Sequence, residues 1–307
     1  MLVSIRYPPG VPRAPEIPDE RIRGDFIDVQ GALSLLNRVQ ALIITSHPGP
    51  SIAITALTTI LAAQAAPHGI GPALTAPALL AGQLSIGWSN DACDAQRDAA
   101  AGRTDKPLAR GDIGARSVWT AAGIAAAAGL AMALVISPLT GALYVLVIAA
   151  GWAYNLGLKS SLWSGAMYLA GFGPLPAFAA STLPGQPTPR WAVTSAAALI
   201  GLGAHFANVL PDLAADRETG VGGLPQRVAA RFGPAAVRAV AIVLLLAASV
   251  LLLIGATRLW VAIPGLIAAV LLAVLSARGT GRVPFYAAIA IAAVDILLFV
   301  ASGEALA

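Results

Sequence analysis

Residues 87–111, GWSNDACDAQRDAAAGRTDKPLARG, place a dense group of charges between two apolar runs. The stretch holds four aspartates and four cations, although only 11% of the 307 residues are charged. A soluble domain carries about 25% charged residues, whereas this chain is 57% hydrophobic with a mean hydropathy of +0.77. The composition therefore predicts an integral membrane protein. Because open sheets cannot satisfy their backbone groups in lipid, the predicted fold class is all-α.

Apolar segments on both sides of this stretch are long enough to cross a bilayer, which takes about 20 residues in a helix. We count nine, near residues 38–65, 71–90, 116–137, 140–157, 162–182, 191–210, 234–256, 259–276 and 284–302. The predicted fold is a bundle of nine transmembrane helices around a central cavity that opens to the cytosol. Helical loops after the second and sixth spans, residues 91–115 and 211–233, are expected to cap this cavity. Residues 36–307 would form the transmembrane domain, and residues 1–35 a cytosolic tail.

The basic residues predict an orientation in the cell membrane. With the N-terminus in the cytosol, 17 of the 19 Lys and Arg side chains fall on cytosolic segments, and only Arg190 and Arg258 fall outside. This is the distribution that the positive-inside rule describes. Nine spans then put the C-terminus outside. The net charge is only +4, which argues against nucleic acid as a partner and leaves membrane lipid as the surroundings.

Two acidic motifs stand where the second and sixth spans end. The first, N-D-x-x-D-x-x-x-D, has a helical spacing that puts its carboxylates on one face. Its members are Asn90, Asp91, Asp94 and Asp98. The members of the second motif are Asn208, Asp212 and Asp216. Like charges so close repel each other, and Arg97 is expected to face another way, so a divalent cation is the predicted partner. Oxygen ligands with open positions suit Mg²⁺ that also binds substrate phosphates.

Cations follow each acidic motif in the sequence. Arg103 and Lys106 come after the first motif, and Arg217 and Arg227 after the second. Metal ions and basic side chains together neutralise phosphoryl oxygens and stabilise a leaving group. The predicted substrate therefore has a diphosphate head and an apolar tail that lies between helices. The competing interpretation is a charged loop exposed to water, but two spaced motifs among only 15 acidic residues favour the metal site.

These motifs resemble the signatures of the UbiA-type intramembrane prenyltransferases. The first signature there is N-D-x-x-D-x-x-x-D with a downstream R-T-x-x-R-P-L-x-x-G, and this chain has NDACDAQRD at 90–98 and RTDKPLARG at 103–111. Lys106 stands where Arg is common, which preserves the charge. DLAAD at 212–216 resembles the second signature, D-x-x-x-D. The resemblance covers most of the chain beyond residue 35.

The resemblance implies a Mg²⁺-dependent prenyltransferase. Loss of diphosphate from an isoprenyl diphosphate leaves an allylic carbocation, which a small acceptor, commonly an aromatic ring, then attacks. The residues implied to bind the metal and the diphosphate are Asn90, Asp91, Asp94, Asp98, Arg103, Lys106, Asp212 and Asp216. YNLGLK at 154–159 is similar to a Tyr and Lys pair of the family, although the family spacing is one residue shorter. Tyr154 would face the carbocation and Lys159 the diphosphate, with membrane anchoring and topology as their other interpretations.

Four further polar residues lie in apolar surroundings. Arg38 is expected to bind substrate at the mouth of the cavity, or else to snorkel to the interface. His47 precedes a proline, which predicts a kink in the first span, and it is assigned to helix packing rather than to catalysis. His205 is expected to be a packed, hydrogen-bonded histidine near the cavity, with contact to the acceptor as its other interpretation. Asp295 in the last span is expected to make a hydrogen bond between helices.

The motifs leave other functions open. The same acidic motifs serve cyclisation of a long isoprenyl diphosphate and transfer of a phosphoribosyl-type group to a polyprenyl phosphate. A secondary transporter is the alternative outside the enzymes, but it would place polar residues near the bilayer midplane, where only Asp295 fits. The acceptor, aromatic or lipid, and the length of the donor chain stay open.

Overall fold

The computed structural model describes residues 35–65, 69–255, 259–301 and 306, and the regular structure in these ranges is helical. The chain divides into two units, Met1–Gln40 and Ala41–Ala307. In the first unit, the described residues 35–40 are helical and exposed. The predicted cytosolic tail lies outside the described residues except for Leu35, so the predicted domain boundary at residue 35 stays a prediction.

Fourteen α-helices follow one another in the described part of the chain. Their bounds are α1 Leu35–Thr45, α2 Pro48–Ala65, α3 Ile70–Ala100, α4 Pro107–Arg110, α5 Ala115–Ile136, α6 Pro138–Asn155, α7 Ser164–Phe172, α8 Leu175–Ser181, α9 Trp191–Val209, α10 Leu213–Glu218, α11 Leu224–Phe232, α12 Pro234–Gly255, α13 Leu259–Arg278 and α14 Val283–Ala301. Two short 3-10 turns, Leu158–Ser160 and Leu210–Asp212, follow α6 and α9.

The nine predicted apolar runs coincide with helices, but two of the runs are broken. The first run is divided into α1 and α2 at His47, and the fifth into α7 and α8 before Leu175. Among the described residues, five helices are long and apolar enough to cross a membrane: α3, α5, α12, α14 and the segment Trp191–Glu218 that begins with α9. The fold is therefore all-helical with five candidate spans. The count of nine spans and the central cavity stay predictions.

The break at His47 has a local cause and a consequence for packing. Pro48 opens α2 and disfavours a helical conformation at the residue before it, and His47 has a left-handed φ of 51°. The C-terminal half of α3 packs directly on this break. A Cβ on Gly87 would lie 2.3 Å from the carbonyl oxygen of Ser46, so glycine permits a contact that other residues would block. The close approach places His47 beside the turn of α3 that starts the first acidic motif.

Two apolar cores hold the helices that carry the acidic motifs. Leu79 of α3 packs with Tyr144 of α6 and Phe178 of α8. Phe206 of α9 packs with Leu245 of α12 in the second core. Because these contacts fix α3 and α9 over their apolar lengths, the polar turns at their C-terminal ends are held in defined positions.

Helix α14 has a buried carboxylate, Asp295, in the middle of its apolar sequence. Asp295 of α14 is buried and accepts a hydrogen bond of 2.9 Å from the hydroxyl of Ser249 on α12. The predicted hydrogen bond between helices is therefore present in the structure, and Asp295 ties α14 to α12.

Candidate active site

The first acidic motif lies on the last turns of α3, which ends at Ala100 and not at residue 90 as the predicted span did. Asp91, Asp94 and Asp98 are only 2%, 8% and 7% exposed. Their spacing of three and four residues places all three on the buried side of α3, as a helix requires. Three neighbouring carboxylates are thus turned away from water, and each needs a compensating group.

Asp91 is held by two basic side chains from outside α3. Its Oδ1 lies 2.7 Å from Nε2 of His47 and accepts a hydrogen bond of 2.7 Å from Nζ of Lys106. Its Oδ2 is buried and has no hydrogen-bond partner within the described ranges. The side-chain amide of Asn90 is 3.5 Å from the same Oδ1. This contact ties the break before α2 to α3, which agrees with the helix-packing role predicted for His47, and it places the His47 ring beside the first acidic motif.

Asp94 is held by two cations. Nη2 of Arg97 lies 2.8 Å from Oδ2 of Asp94, and Nζ of Lys159 donates to Oδ1. The expectation that Arg97 faces away is wrong, since residues three apart on a helix are neighbours. Lys159 lies in the 3-10 turn after α6 and its side chain is 12% exposed. Protein cations therefore offset the charge of the first motif.

The loop after α3 carries Arg103 to a position near both motifs. Arg103 donates two hydrogen bonds of 2.9 Å to the carboxylate of Asp105. This pair raises the pKa of the Arg103 guanidinium, and the charges of Asp98 and Asp212 raise it further. The same hydrogen bonds lower the pKa of Asp105 to about 2. Because Asp98 belongs to the first motif and Asp212 to the second, Arg103 lies within electrostatic reach of both.

The second acidic motif begins near the end of α9 and continues through the following 3-10 turn. Asn208 on α9, Asp212 in the turn and Asp216 on α10 are all half-buried. The side-chain amide of Gln226 on α11 donates a hydrogen bond of 2.8 Å to Oδ2 of Asp216. Its own Oε1 is buried without a partner in the part of the chain that the structure describes. Gln226 therefore holds the last aspartate from the segment that follows it.

Shared cations connect the two motifs. The charges of Arg97 and Lys159, which pair with Asp94, also act on Asp216. The start of α11 reinforces this junction, because a Cβ on Gly223 would lie 2.4 Å from the carbonyl oxygen of Lys159. The structure thus brings α3, the turn after α6 and the α9–α11 segment to one place. The sequence had predicted this meeting of the motifs from their positions at span ends.

Aromatic rings lie next to the two motifs. Tyr154 meets Tyr168 edge-on at 5.2 Å and His205 edge-on at 5.6 Å, and Tyr168 stacks on His205 at 4.3 Å. Phe172 also stacks with Tyr168, at 5.9 Å. We call these four residues the aromatic layer. Tyr154 lies within reach of the charges of one aspartate from each motif, so the layer borders the acidic site.

The acidic site fits a hard divalent cation, although it is not a closed cage. Within the described ranges, no three His, Cys, Asp or Glu side chains come together as a ready metal site. Mg²⁺ characteristically binds through one or two carboxylates and completes its shell with waters and substrate phosphates. Oδ2 of Asp91 is the most distinct candidate ligand, because it is a buried carboxylate oxygen without a donor.

The remaining residues differ in whether the sequence could predict their place in the site. Arg38 is exposed on α1 in the Met1–Gln40 unit and stays a sequence-based candidate. Tyr168 and Gln226 were missed, because neither lies at a motif spacing from the aspartates. For His47 the sequence holds a partial signal, because a histidine followed by proline indicates the end of a helix. It did not indicate the partner of His47, since Asp91 on α3 is 44 residues away.

Comparisons with known proteins agree with this architecture. A family model described as the UbiA prenyltransferase family matches residues 51–301. None of the curated proteins compared with the chain matches it. The fold is similar to that of a UbiA homolog from Archaeoglobus fulgidus bound to DMAPP and Mg²⁺, with a TM-score of 0.66 and 18% identity over 86% of this chain and 98% of that one.

Two other solved structures are similar at the same level. The apo structure of a UbiA homolog from Aeropyrum pernix K1 has a TM-score of 0.67 and 19% identity, covering 82% of this chain and 97% of that one. A structure of digeranylgeranylglyceryl phosphate synthase has a TM-score of 0.62 and 15% identity, covering 86% and 98%. At these identities the likeness establishes the fold.

Proposed function

The chain belongs to the UbiA prenyltransferase family, and we propose that it transfers an isoprenyl group from an isoprenyl diphosphate to a small aromatic acceptor within the membrane. The observation that carries this proposal is the meeting of two acidic motifs and four cations beside the aromatic layer. The four cations are Arg97, Arg103, Lys106 and Lys159. Such a site suits a donor whose head is a diphosphate and whose reacting carbon is allylic.

Mg²⁺ is the cation that we propose for the acidic motifs. The similar protein from Archaeoglobus fulgidus was solved with DMAPP and Mg²⁺, and the buried, unpartnered Oδ2 of Asp91 supports a cation site in this chain. The residues that would hold the ion are Asp91, Asp94, Asp98, Asp212 and Asp216. When bound, Mg²⁺ neutralises phosphoryl oxygens and stabilises the departing diphosphate.

Lys106 and Lys159 have a second task in this proposal. Each ammonium group has three hydrogens and uses one on a carboxylate of the first motif. These ion pairs hold the buried carboxylates in position before substrate binds. Each ammonium group can donate to a phosphoryl oxygen as well, so the diphosphate is placed next to the acidic motifs. Arg103, already within reach of both motifs, supplies further positive charge there.

The proposed reaction breaks one C–O bond and forms one bond to carbon. The bond between C1 of the isoprenyl group and the diphosphate oxygen breaks, and its electron pair leaves with the diphosphate. The allylic cation lies against the ring of Tyr154, whose negative π face attracts a cation. A ring carbon of the acceptor forms the new bond to C1, and the proton that this carbon loses leaves with the diphosphate or with water.

An apolar cavity along α9 supports an apolar tail on the donor. Ala196 and Ile200 line this cavity together with Leu61 and Leu252. At 1.5 Å per residue, Ile200 lies about 18 Å from Asp212 along the helix axis. A donor tail about 18 Å long that starts at the acidic site and runs parallel to α9 would reach the depth of this cavity.

The orientation of the chain follows from the basic residues. We propose that the acidic site opens to the cytosol of the cell membrane, with the N-terminus cytosolic and the C-terminus outside. The support is the placement of 17 of the 19 Lys and Arg side chains on predicted cytosolic segments, in agreement with the positive-inside rule. Arg103, Lys106 and Lys159 belong to that set.

The test of the proposed function is release of diphosphate by the full chain in nanodiscs. Geranyl, farnesyl and geranylgeranyl diphosphate would be supplied with Mg²⁺, with and without a pool of phenols and naphthols, and products followed by mass spectrometry. Asp94→Asn and Asp216→Asn are expected to lower release at least about 100-fold. Asp112→Asn is the matched control. Asp112 lies near the end of the loop that follows the first acidic motif, and its side chain is 40% exposed.

The products decide between the functions. Diphosphate together with a prenylated aromatic product supports the transferase, and the same release with only a cyclised hydrocarbon would replace it by a cyclase. A folded chain that releases no diphosphate from any donor, with or without EDTA, refutes isoprenyl transfer. In that case, phosphoribosyl-type transfer to a polyprenyl phosphate is the next reaction to assay.

A further inference from the structure

His205 contains a buried polar atom that the protein leaves without a partner. The residue is completely buried, and its Nε2 lies 3.1 Å from the hydroxyl of Ser164. Its Nδ1 has no hydrogen-bond partner among the described residues. Buried polar groups are almost always paired, so an unpaired imidazole nitrogen in a folded chain points to a group that is supplied by a ligand.

The tautomer of His205 follows from its neighbour. The hydroxyl oxygen of Ser164 accepts a hydrogen bond of 2.8 Å from the backbone N–H of Leu224. The single hydrogen of this hydroxyl can then be donated to Nε2 of His205. In that arrangement the N–H of Leu224, the hydroxyl of Ser164 and Nε2 all take part in hydrogen bonds. We therefore assign Nε2 as the acceptor nitrogen and Nδ1 as the nitrogen that carries the ring hydrogen. The orphan atom is a buried N–H donor in need of an acceptor.

The position of His205 connects this donor to the proposed reaction centre. Its ring is part of the aromatic layer, stacked on Tyr168 at an interplanar angle of 17° and edge-on to Tyr154. His205 precedes Asp212 by seven residues, which corresponds to about 10 Å along the helix. The N–H donor thus lies one ring layer away from the acidic motifs, on the side of the apolar length of α9.

We propose, on the basis of the proposed prenyl transfer, that Nδ1–H of His205 donates a hydrogen bond to a neutral oxygen of the acceptor. The acceptor class is then an aromatic ring that carries a hydroxyl or carbonyl oxygen. A carboxylate at this point is disfavoured, because the aromatic layer would strip its water and the nearby aspartates of both motifs would repel it. His205 favours an acceptor that carries this oxygen over one that lacks it. Without the oxygen, the buried N–H of His205 stays unpaired, which makes binding of that acceptor weaker.

A spectroscopic test reads this hydrogen bond without turnover. The chain has three histidines, His47, His68 and His205, so ¹⁵N-histidine labelling gives few signals, and the His205 signals are those lost in His205→Phe. The wild-type chain in nanodiscs would be loaded with Mg²⁺ and geranyl S-thiolodiphosphate, which ionises very slowly. We expect 1-naphthol to shift the Nδ1 resonance of His205 and naphthalene to leave it in place. An Nδ1 resonance that stays in place with saturating 1-naphthol overturns the proposal.

A kinetic test separates binding of the acceptor from a purely structural role. His205→Phe retains a ring to stack on Tyr168 but has no donor, whereas the amide of His205→Asn can return an N–H near the position of Nδ1. We expect the Phe variant to raise the KM for 1-naphthol at least tenfold, with the KM for the isoprenyl diphosphate unchanged. The Asn variant should recover most of the loss. Equal changes in both KM values, or no change in either, would overturn the assignment.

The two proposals fail in different ways. If the wild-type chain releases no diphosphate, prenyl transfer is refuted, and the ¹⁵N spectrum still shows whether His205 binds the naphthol. If the wild-type chain prenylates 1-naphthol and His205→Phe does so with the same KM, prenyl transfer stands and the role of His205 is refuted.

Discussion

Replacing Lys106 by methionine tests the diphosphate site most directly. The side chain of Lys106 is 17% exposed and donates a hydrogen bond of 2.7 Å to Asp91, whose side chain is 3% exposed. A hydrogen bond from a charged group contributes about 1.5–3 kcal/mol, and 1.4 kcal/mol corresponds to a factor of ten. If the same ammonium group also binds the diphosphate, Lys106→Met raises the KM for the donor about 10- to 140-fold. Lys106→Met also removes one of the two basic partners of the buried Asp91 and leaves His47 at 2.7 Å, so the melting temperature should fall, and the folded fraction is measured beside the KM.

The assay measures diphosphate release against donor concentration in nanodiscs. Arg231→Met is the matched control, because it removes one exposed positive charge at the C-terminal end of α11. Lys106→Arg keeps the charge and should retain most of the affinity for the donor. Two results would refute the reasoning: an unchanged donor KM in Lys106→Met, or the same increase in Arg231→Met, which would make the effect one of overall charge.

Three further changes test the supports of the site and of the bundle. Gln226→Leu removes the donor to Asp216 and should lower diphosphate release about tenfold; unaltered kinetics would show that Asp216 needs no such support. Ser249→Ala leaves the buried carboxylate oxygen of Asp295 without its hydrogen-bond donor and should lower the free energy of unfolding by about 1–3 kcal/mol. In an Asp295→Leu background the same substitution should cost little, because no carboxylate is left to pair. Equal losses of melting temperature in both backgrounds would contradict this. Arg238→Met frees carbonyl oxygens at the C-terminal end of α13 and should lower the melting temperature by a few degrees, whereas an unshifted melting curve would mean that the cap is dispensable.

Local periodicity was enough to predict how the first motif lies on its helix. Asp91, Asp94 and Asp98 are buried on one side of α3 because a spacing of three and four residues leaves a helix no other arrangement. The same rule was misapplied to Arg97, which lies three residues after Asp94 and pairs with it. The hydrogen bond of Asp295 was also predictable, since a carboxylate among apolar residues must find a donor.

Contacts between distant segments were not predictable in the same way. Lys159 reaches Asp94 across 65 residues, and His47 reaches Asp91 across 44. Neither pairing has a repeat or a spacing that marks it. The approach of His47 depends on a glycine, Gly87, whose missing side chain admits the backbone of the preceding segment. A sequence shows that a glycine is present, but not which chain passes over it.

The sequence by itself determined the class of this protein and predicted the chemistry of its site. Its apolar runs required helices, because lipid offers no partner to an unpaired backbone group, and its spaced aspartates predicted where hard cations would bind. Only the tertiary structure decided which cations hold those aspartates, that the first run breaks at His47, and that His205 keeps a buried nitrogen unpaired. The reason is physical: periodicity along one helix follows from backbone geometry, whereas the partners of a buried polar atom depend on how separate helices pack.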